Sequence, residues 1–319
     1  MRVPAALAVA IACLSCAISA CGGSDEAAPP RSPDPAPEVA PTPTEEEVWA
    51  PLPPNRGEIP VLLYHGIGSE SDFSNEDDAA YGVGFEDFAR QMTLIDHAGY
   101  QTIDLETFAR FVQGQAVELP PRPLLLTFDD ARADSWTGAD GILEELGFNA
   151  VMFVDVGRVE DGDPEYLTWE ELETVQASGR WGLQLHSGVG HQQIQYGSGP
   201  DDFGPYYAYK EEGEGFDGWQ ERVRSDIEWG QETLADHIPA YEPLGFAVPY
   251  GNYGQDGTND ERIPDDLLGW LTDRFGTVYT QDVNARARPG SSQPLGRIQV
   301  TRATTGGDLH ARLLSGEIG

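Results

Sequence analysis

Leu124-Leu125-Leu126-Thr127-Phe128-Asp129-Asp130 is a short apolar run that ends in two adjacent carboxylates. Preceded by Pro121 and Pro123, it has the length and composition of a buried strand. Side chains alternate faces along a strand, so neighbouring aspartates point apart unless the chain leaves the strand where they stand. Ala131-Arg132-Ala133 reads as that exit. Two carboxylates at the mouth of a buried strand are costly unless a cation or a reacting group uses them. The plainer reading is a strand end whose aspartates cap the next helix.

Strands alternate with helices on both sides of this run. Ile59 to His65 is a first strand, ending in Gly66 and Gly68. Phe85 to Ala98 has helical spacing and stops at Gly99; Tyr100 to Ile103 is a brief strand and Leu105 to Val112 a helix. Further on, Thr137 to Leu146 is a helix ended by Gly147, and Phe148 to Val154 a strand. Thr168 to Ser178 is a helix with Thr168 as N-cap, and Trp181 to Leu185 a strand. Trp219 to His237 is a long helix, followed by strand Gly245 to Val248 and helix Asp265 to Phe275. Thr277 to Tyr279 and Arg297 to Val300 are the last strands. This order indicates parallel βα units, in a barrel or an open sheet, with an active site at the C-terminal strand ends. Residues 192–218, rich in Gly and Tyr and without periodicity, read as a functional loop or lid.

The N-terminal part has a different character. Arg2 precedes an almost purely apolar stretch from Val3 to Ala20, which reads as an export signal over residues 1–20. Small residues before Cys21 resemble the bacterial lipoprotein cleavage box, with Cys21 as the lipidated first residue; an ordinary signal peptide that contains cysteine is the alternative. Residues 21–57, with prolines at 29, 30, 33, 35, 37, 41, 43, 51, 53 and 54, read as an acidic, disordered tether. The expected product is exported and lipid-anchored to the bacterial cell membrane, with residues 58–319 as one monomeric domain facing outside the cytoplasm.

Composition narrows the chemistry. All three cysteines (Cys13, Cys16, Cys21) precede the domain, so thiolate nucleophiles, thiolate metal sites and disulfides are excluded from it. A formal net charge of −35 excludes nucleic acid as a partner. The acids are spread along the whole domain, which points to solubility or salt adaptation more than to a basic partner.

The polar residues of interest fall at strand ends: Asp129 and Asp130, His186 with His191 after it, Pro249-Tyr250-Gly251, and His65. One Asp and two His are a sound ligand set for Zn2+ or a similar divalent metal, leaving a position open for water. Such an ion makes hydroxide available near neutral pH and polarises a carbonyl. The other Asp could accept the water's proton, and a backbone N–H of the Pro-Tyr-Gly turn could donate to an oxyanion.

The chain at this point resembles the polysaccharide deacetylases of carbohydrate esterase family four. The matching segments are Pro60 to His65, Thr127 to Asp130, Leu143 to Val154, His186-Ser187 with His191, and Phe246 to Gly251, in the family's order. The resemblance implies a distorted (β/α)7-type barrel and metal-dependent removal of acetyl groups from an N-acetylated extracellular or cell-envelope polysaccharide. Carried over by position, it makes Asp129 the general base, Asp130, His186 and His191 the metal ligands, and Tyr250 the source of an oxyanion-hole N–H.

The sequence departs from the family pattern at several places. His186 and His191 are five residues apart where the family has four. On a helix the extra residue would swing the second ring from roughly 40° to roughly 140° away, unless Gly188 and Gly190 let a loop absorb it. Ala131 replaces the glycine usual after the aspartate pair, a change that matters only if the position needs positive φ. Ala247 stands where many members place the arginine that orients the base. Leu309-His310 lies where the family has its general-acid histidine but lacks the spacer residue. These departures keep a second reading open, a non-catalytic carbohydrate-binding lipoprotein on the same barrel. A solute-binding lipoprotein would share the anchor and explain none of the Asp and His motifs. Trp181, Tyr206, Tyr207, Tyr209 and Trp219 offer either sugar-stacking faces or packing.

Overall fold

The computed structural model describes residues 45–69, 73, 76–239, 241–281 and 286–315. The expected signal segment, the lipidation site Cys21 and most of the tether lie outside the described residues. Among the described residues no helix is long and apolar enough to cross a membrane.

The element order is α1 (Glu45–Val48), β1 (Ile59–Tyr64), α2 (Glu76–Tyr81), α3 (Phe85–His97), β2 (Gln101–Thr102), α4 (Leu105–Val112), β3 (Pro123–Phe128) and α5 (Ala133–Leu146). Then come β4 (Ala150–Asp155), α6 (Val156–Glu160), α7 (Trp169–Ala177), β5 (Trp181–Ser187), β6 (Gln193–Gln195), β7 (Phe203–Pro205) and α8 (Phe216–His237). The chain continues through β8 (Gly245–Ala247), α9 (Ile263–Arg274), β9 (Thr277–Tyr279), β10 (Arg286–Ala287), β11 (Ile298–Gln299) and α10 (Gly306–Ser315).

The expected barrel forms. Strands β1, β3, β4, β5, β8 and β9 pair in that order, all parallel. The two edges then meet on one stretch of chain: Leu295 bridges Tyr279 of β9, and β11 pairs with β1 through Leu62–Ile298 and Leu63–Gln299. That makes a ring of seven, with six- or seven-residue strands on one half and two- or three-residue strands on the other. The thin half is the distortion. Seven parallel strands alternating with helices follow from apolar strands that must bury both faces.

Strand periodicity divides the core in two. Val61, Leu125, Val151, Phe153, Ala247 and Tyr279 face the barrel interior, and Leu105, Phe108, Phe111 and Val112 of α4 plug its lower end. The alternate residues Leu62, Leu126, Phe128, Met152, Leu185, Phe246 and Val278 pack outward against the helices. With both faces dry, the titratable groups are left for the upper mouth.

Local signals explain most boundaries. Thr168 caps α7 with a full capping box, its hydroxyl accepting from Glu171 N and Glu171 reaching back to Thr168 N. Gly147 ends α5 at φ 67°, a conformation glycine adopts without strain. The packed domain starts before the expected residue 58. Trp49 is fully buried against the ring of His310, and Leu52 N and Asn55 N bond to Ala98 O and Pro121 O. A single tryptophan among prolines and glutamates supplied the apolar surface for this docking. The 192–218 segment is not a free lid. β6 and β7 form an antiparallel hairpin, and Arg222 of α8 binds Tyr206 O, Tyr209 O and Glu214.

Candidate active site

Asp129 shares the face of Leu125 and Thr127 and projects into the barrel mouth, where it is buried. Its two oxygens accept bidentate bonds from Arg297, Nη1 to Oδ1 at 2.6 Å and Nη2 to Oδ2 at 2.7 Å. Arg297 is itself fully buried, between the rings of Phe153 and Tyr279. Burial pushes the Asp129 carboxyl up, but the Arg297 guanidinium and His186 outweigh it and hold the group below the usual carboxylate range. The base-orienting arginine that position 247 lacks is therefore supplied from the residue just before β11, the closing strand of the barrel.

Asp130 cannot follow regular strand geometry and still reach this mouth. It takes φ 76° and Ala131 takes φ 60°, both left-handed. Such residues cost roughly 1–2 kcal/mol each without glycine. Position 131 does need positive φ, so the Gly-to-Ala difference is felt there. Leu167 N donates to Ala131 O and helps hold the turn. The result is that neighbouring carboxylates serve one cavity, of about 480 Å³.

His186 stands near the end of β5, facing inward like Gln184. Ala247 O accepts from its Nδ1 at 2.7 Å, which fixes the tautomer and leaves an Nε2 lone pair facing the mouth. His191 lies beyond β5 in a loop, not on a helix, so the expected 140° rotation does not arise. Its Nε2 is 3.7 Å from Asp130 Oδ1, and His186 Nε2 is 3.4 Å from the same oxygen. One ligand atom from each of Asp130, His186 and His191 lies within 4.8 Å of the other two.

These residues fit a divalent cation. Asp130 Oδ1 is buried and makes no hydrogen bond, an arrangement that costs free energy unless a cation satisfies it. Burial pushes Asp130 up, yet the neighbouring histidines prevail and keep it a carboxylate. Burial lowers the His191 pKa to about 4, which keeps its ring neutral and ligand-competent. Asp155 stands behind His191, with Oδ2 3.9 Å from its Nδ1 and Oδ1 accepting from Ser187 Oγ at 2.9 Å. Burial raises Asp155 to about 7.

Tyr250 occupies a 3-10 turn after β8 at φ 60°, and its exposed ring stacks on His191 at 4.7 Å and 11°. His65 lines the cavity, its Nδ1 buried without a partner and its ring against Tyr81. His310, the other candidate proton donor, packs on Trp49 and is not among the residues lining the cavity. The aromatic candidates are packing: Tyr206 and Tyr207 of the insertion, Trp181 of β5 and Trp219 of α8 are buried, and Tyr209 is partly buried against the core and stacks on Tyr196. The aromatic faces exposed at the mouth are Tyr81 and Tyr250. Arg297 and Asp155 were not among the residues expected from sequence. A lone arginine at the start of the run Arg297 to Val300 was the available signal for the first, since a buried guanidinium needs a carboxylate.

Residues 116–262 match the family model for polysaccharide deacetylase. The Bacillus subtilis protein YxkH, whose name places it among candidate polysaccharide deacetylases, is 26% identical over 121 residues, 38% of this chain and 39% of that protein. The match thus spans well under half of that relative. Among solved structures, a de-N-acetylase from Aggregatibacter actinomycetemcomitans superposes with a TM-score of 0.67 at 15% identity, covering 80% of this chain and 99% of that one. IcaB from Ammonifex degensii gives 0.62 at 21%, with 83% and 99% covered. The Streptococcus pyogenes deacetylase PplD, solved with acetate, gives 0.60 at 19%, with 82% and 99% covered. These structures share the fold of this chain, and residues 116–262 carry the sequence pattern of polysaccharide deacetylases.

Proposed function

We propose that this chain is a metal-dependent de-N-acetylase of an N-acetylated polysaccharide. The observation that carries the reading is the convergence of Asp130, His186 and His191 on one buried, otherwise unbonded carboxylate oxygen beside Asp129. Asp130, His186 and His191 would hold a divalent ion, Zn2+ being one that suits two imidazoles and a carboxylate, and when bound it would supply Lewis acidity at an acyl oxygen and lower the pKa of water.

The chain's own residues do the rest. Asp129, kept ionised and aimed by Arg297, accepts the proton of the attacking water at a carboxylate oxygen that still has a free lone pair. The backbone N–H at Tyr250 donates to the oxygen that becomes negative in the tetrahedral intermediate. The proton that Asp129 takes from the water is the one available to the leaving amine; His65 lines the cavity, but burial lowers its pKa and leaves its ring neutral, and His310 does not line it. Tyr81 and Tyr250 present exposed ring faces for sugars at the mouth. Two structural neighbours, a de-N-acetylase and a deacetylase in complex with acetate, accord with acetate as the product.

The location rests on sequence: an export signal and a lipidated Cys21 would hold the domain outside the cytoplasm on the bacterial membrane. The carbohydrate-binding alternative draws on the extra residue between the histidines and on the missing general-acid histidine. The loop position of His191 answers the first of these. Acetate release from N-acetylglucosamine oligomers tests the activity. Asp129→Asn should abolish release while leaving bound metal intact; acetate released at the wild-type rate would refute the assignment.

A further inference from the structure

One face of α8 ties the insertion to the histidine loop. Trp219, Arg222, Asp226 and Gly230 recur at helical spacing and so line a single side. Trp219 Nε1 donates to Tyr207 O at 3.0 Å, and Arg222 grips the flanking carbonyls of Tyr206 and Tyr209. One turn further on, the Asp226 carboxylate is buried and takes three donors. Gly188 N reaches Oδ2 at 3.2 Å, Val189 N reaches Oδ1 at 2.6 Å, and Tyr207 Oη reaches Oδ2 at 2.5 Å.

Steric fit leaves this loop little alternative. A Cβ on Gly188 would stand 2.4 Å from Asp226 O, and one on Gly190 would stand 2.5 Å from the Tyr207 ring. From α6, Gly157 N donates to Gly188 O at 2.7 Å. A Cβ on Gly230 would press on the Gly188 backbone at 3.0 Å. The stretch that holds the extra residue is thus closed in by three glycine-sized contacts and one carboxylate.

We infer that Asp226, with Tyr207 as its third donor, is a positioning residue that sets the His186–His191 loop in the shape that brings His191 to Asp130. The inference rests on the metal reading above. A carboxylate is required because all three partners are donors: two N–H groups and one O–H converge on its two oxygens. Asparagine would turn an NH2 toward at least one of them. The insertion then has a definite task, since Tyr207 reaches Asp226 only while Trp219 and Arg222 hold the segment on α8. Sequence alone gave no sign of this, because Asp226 is one acid among many on a long helix.

The test uses the full chain stripped with EDTA and titrated with Zn2+ by calorimetry, and with Co2+ by its visible absorption. Asp226→Asn should weaken Zn2+ binding by about 10- to 100-fold, as loss of an outer partner of a metal ligand does. It should also alter the Co2+ spectrum. Tyr207→Phe, which keeps the packing and removes one donor, should weaken binding to a lesser degree. A purely structural role would lower the metal-free melting temperature and leave the affinity of the folded fraction unchanged. Wild-type affinity and spectrum in folded Tyr207→Phe and Asp226→Asn would overturn this inference alone. A wild-type chain that takes up neither ion would overturn the metal reading and this inference with it.

Discussion

The Arg297–Asp129 pair offers the sharpest energetic test of the mouth. Both side chains are essentially without solvent contact, and both of their bonds are short. With charge centres about 4 Å apart and an effective dielectric constant of about 20, their attraction is about 4 kcal/mol. Removing one partner of a buried pair typically costs about 3–5 kcal/mol, because the other charge stays buried and uncompensated. Arg297→Met and Asp129→Asn should each cost that much in urea unfolding at pH 7 in EDTA. The double variant should cost clearly less than their sum, since the second substitution removes the stranded charge. The pH dependence has a definite sign. The folded pKa of Asp129 is depressed, so its contribution is present above the unfolded carboxyl value of about 3.9 and is lost as pH falls through the folded value. Without the guanidinium that value rises, so the gap between wild type and Arg297→Met should be wider at pH 7 than at pH 4. Single variants within about 1 kcal/mol of wild type, or strictly additive costs, would refute this account of the pair.

His191→Ala should lower Zn2+ affinity at least as much as loss of an outer partner does, about 100-fold, read by calorimetry. Tyr250→Phe should leave acetate release within about threefold of wild type, since the backbone N–H is the expected donor; a much larger loss would give the hydroxyl the role. Trp49→Ala should cost about 3–5 kcal/mol in unfolding, whereas a disordered tether there predicts no change. Glu58 bonds Arg286 at 2.7 Å and also Arg288, and these partners overcome burial to lower its carboxyl pKa. Glu58→Gln should therefore cost about 1 kcal/mol at neutral pH. That cost should fade as pH falls below about 4 through the folded value; a cost independent of pH would refute it.

The long-stranded half of the barrel was legible because its strands bury both faces and read as apolar runs between glycine and proline stops. The first histidine and both aspartates came with them, since strand ends are where polar residues interrupt such runs. What escaped was nonlocal. Ring closure depends on a bridge at Leu295 and two paired residues of β11; a strand at Arg297 to Val300 was legible, but no local pattern says which edges it joins. The hairpin of β6 and β7 has three-residue strands in a Gly- and Tyr-rich segment. Arg297 takes the place of a missing arginine from a position 50 residues downstream of Ala247, which no local pattern announces. The five-residue histidine spacing looked disruptive only under a helical reading. In a glycine loop bound by Asp226 it is the spacing that fits.

The central claim is that Asp130, His186 and His191 hold a metal needed for deacetylation. The most direct measurement is metal content by mass spectrometry, paired with acetate release from N-acetylglucosamine oligomers before and after chelation. One equivalent of metal in the wild-type chain is predicted. Activity should be lost on chelation and restored by Zn2+ or a related ion, and neither metal nor activity should remain in His186→Ala. A metal-free wild-type chain, or acetate release that persists after chelation, would contradict the claim.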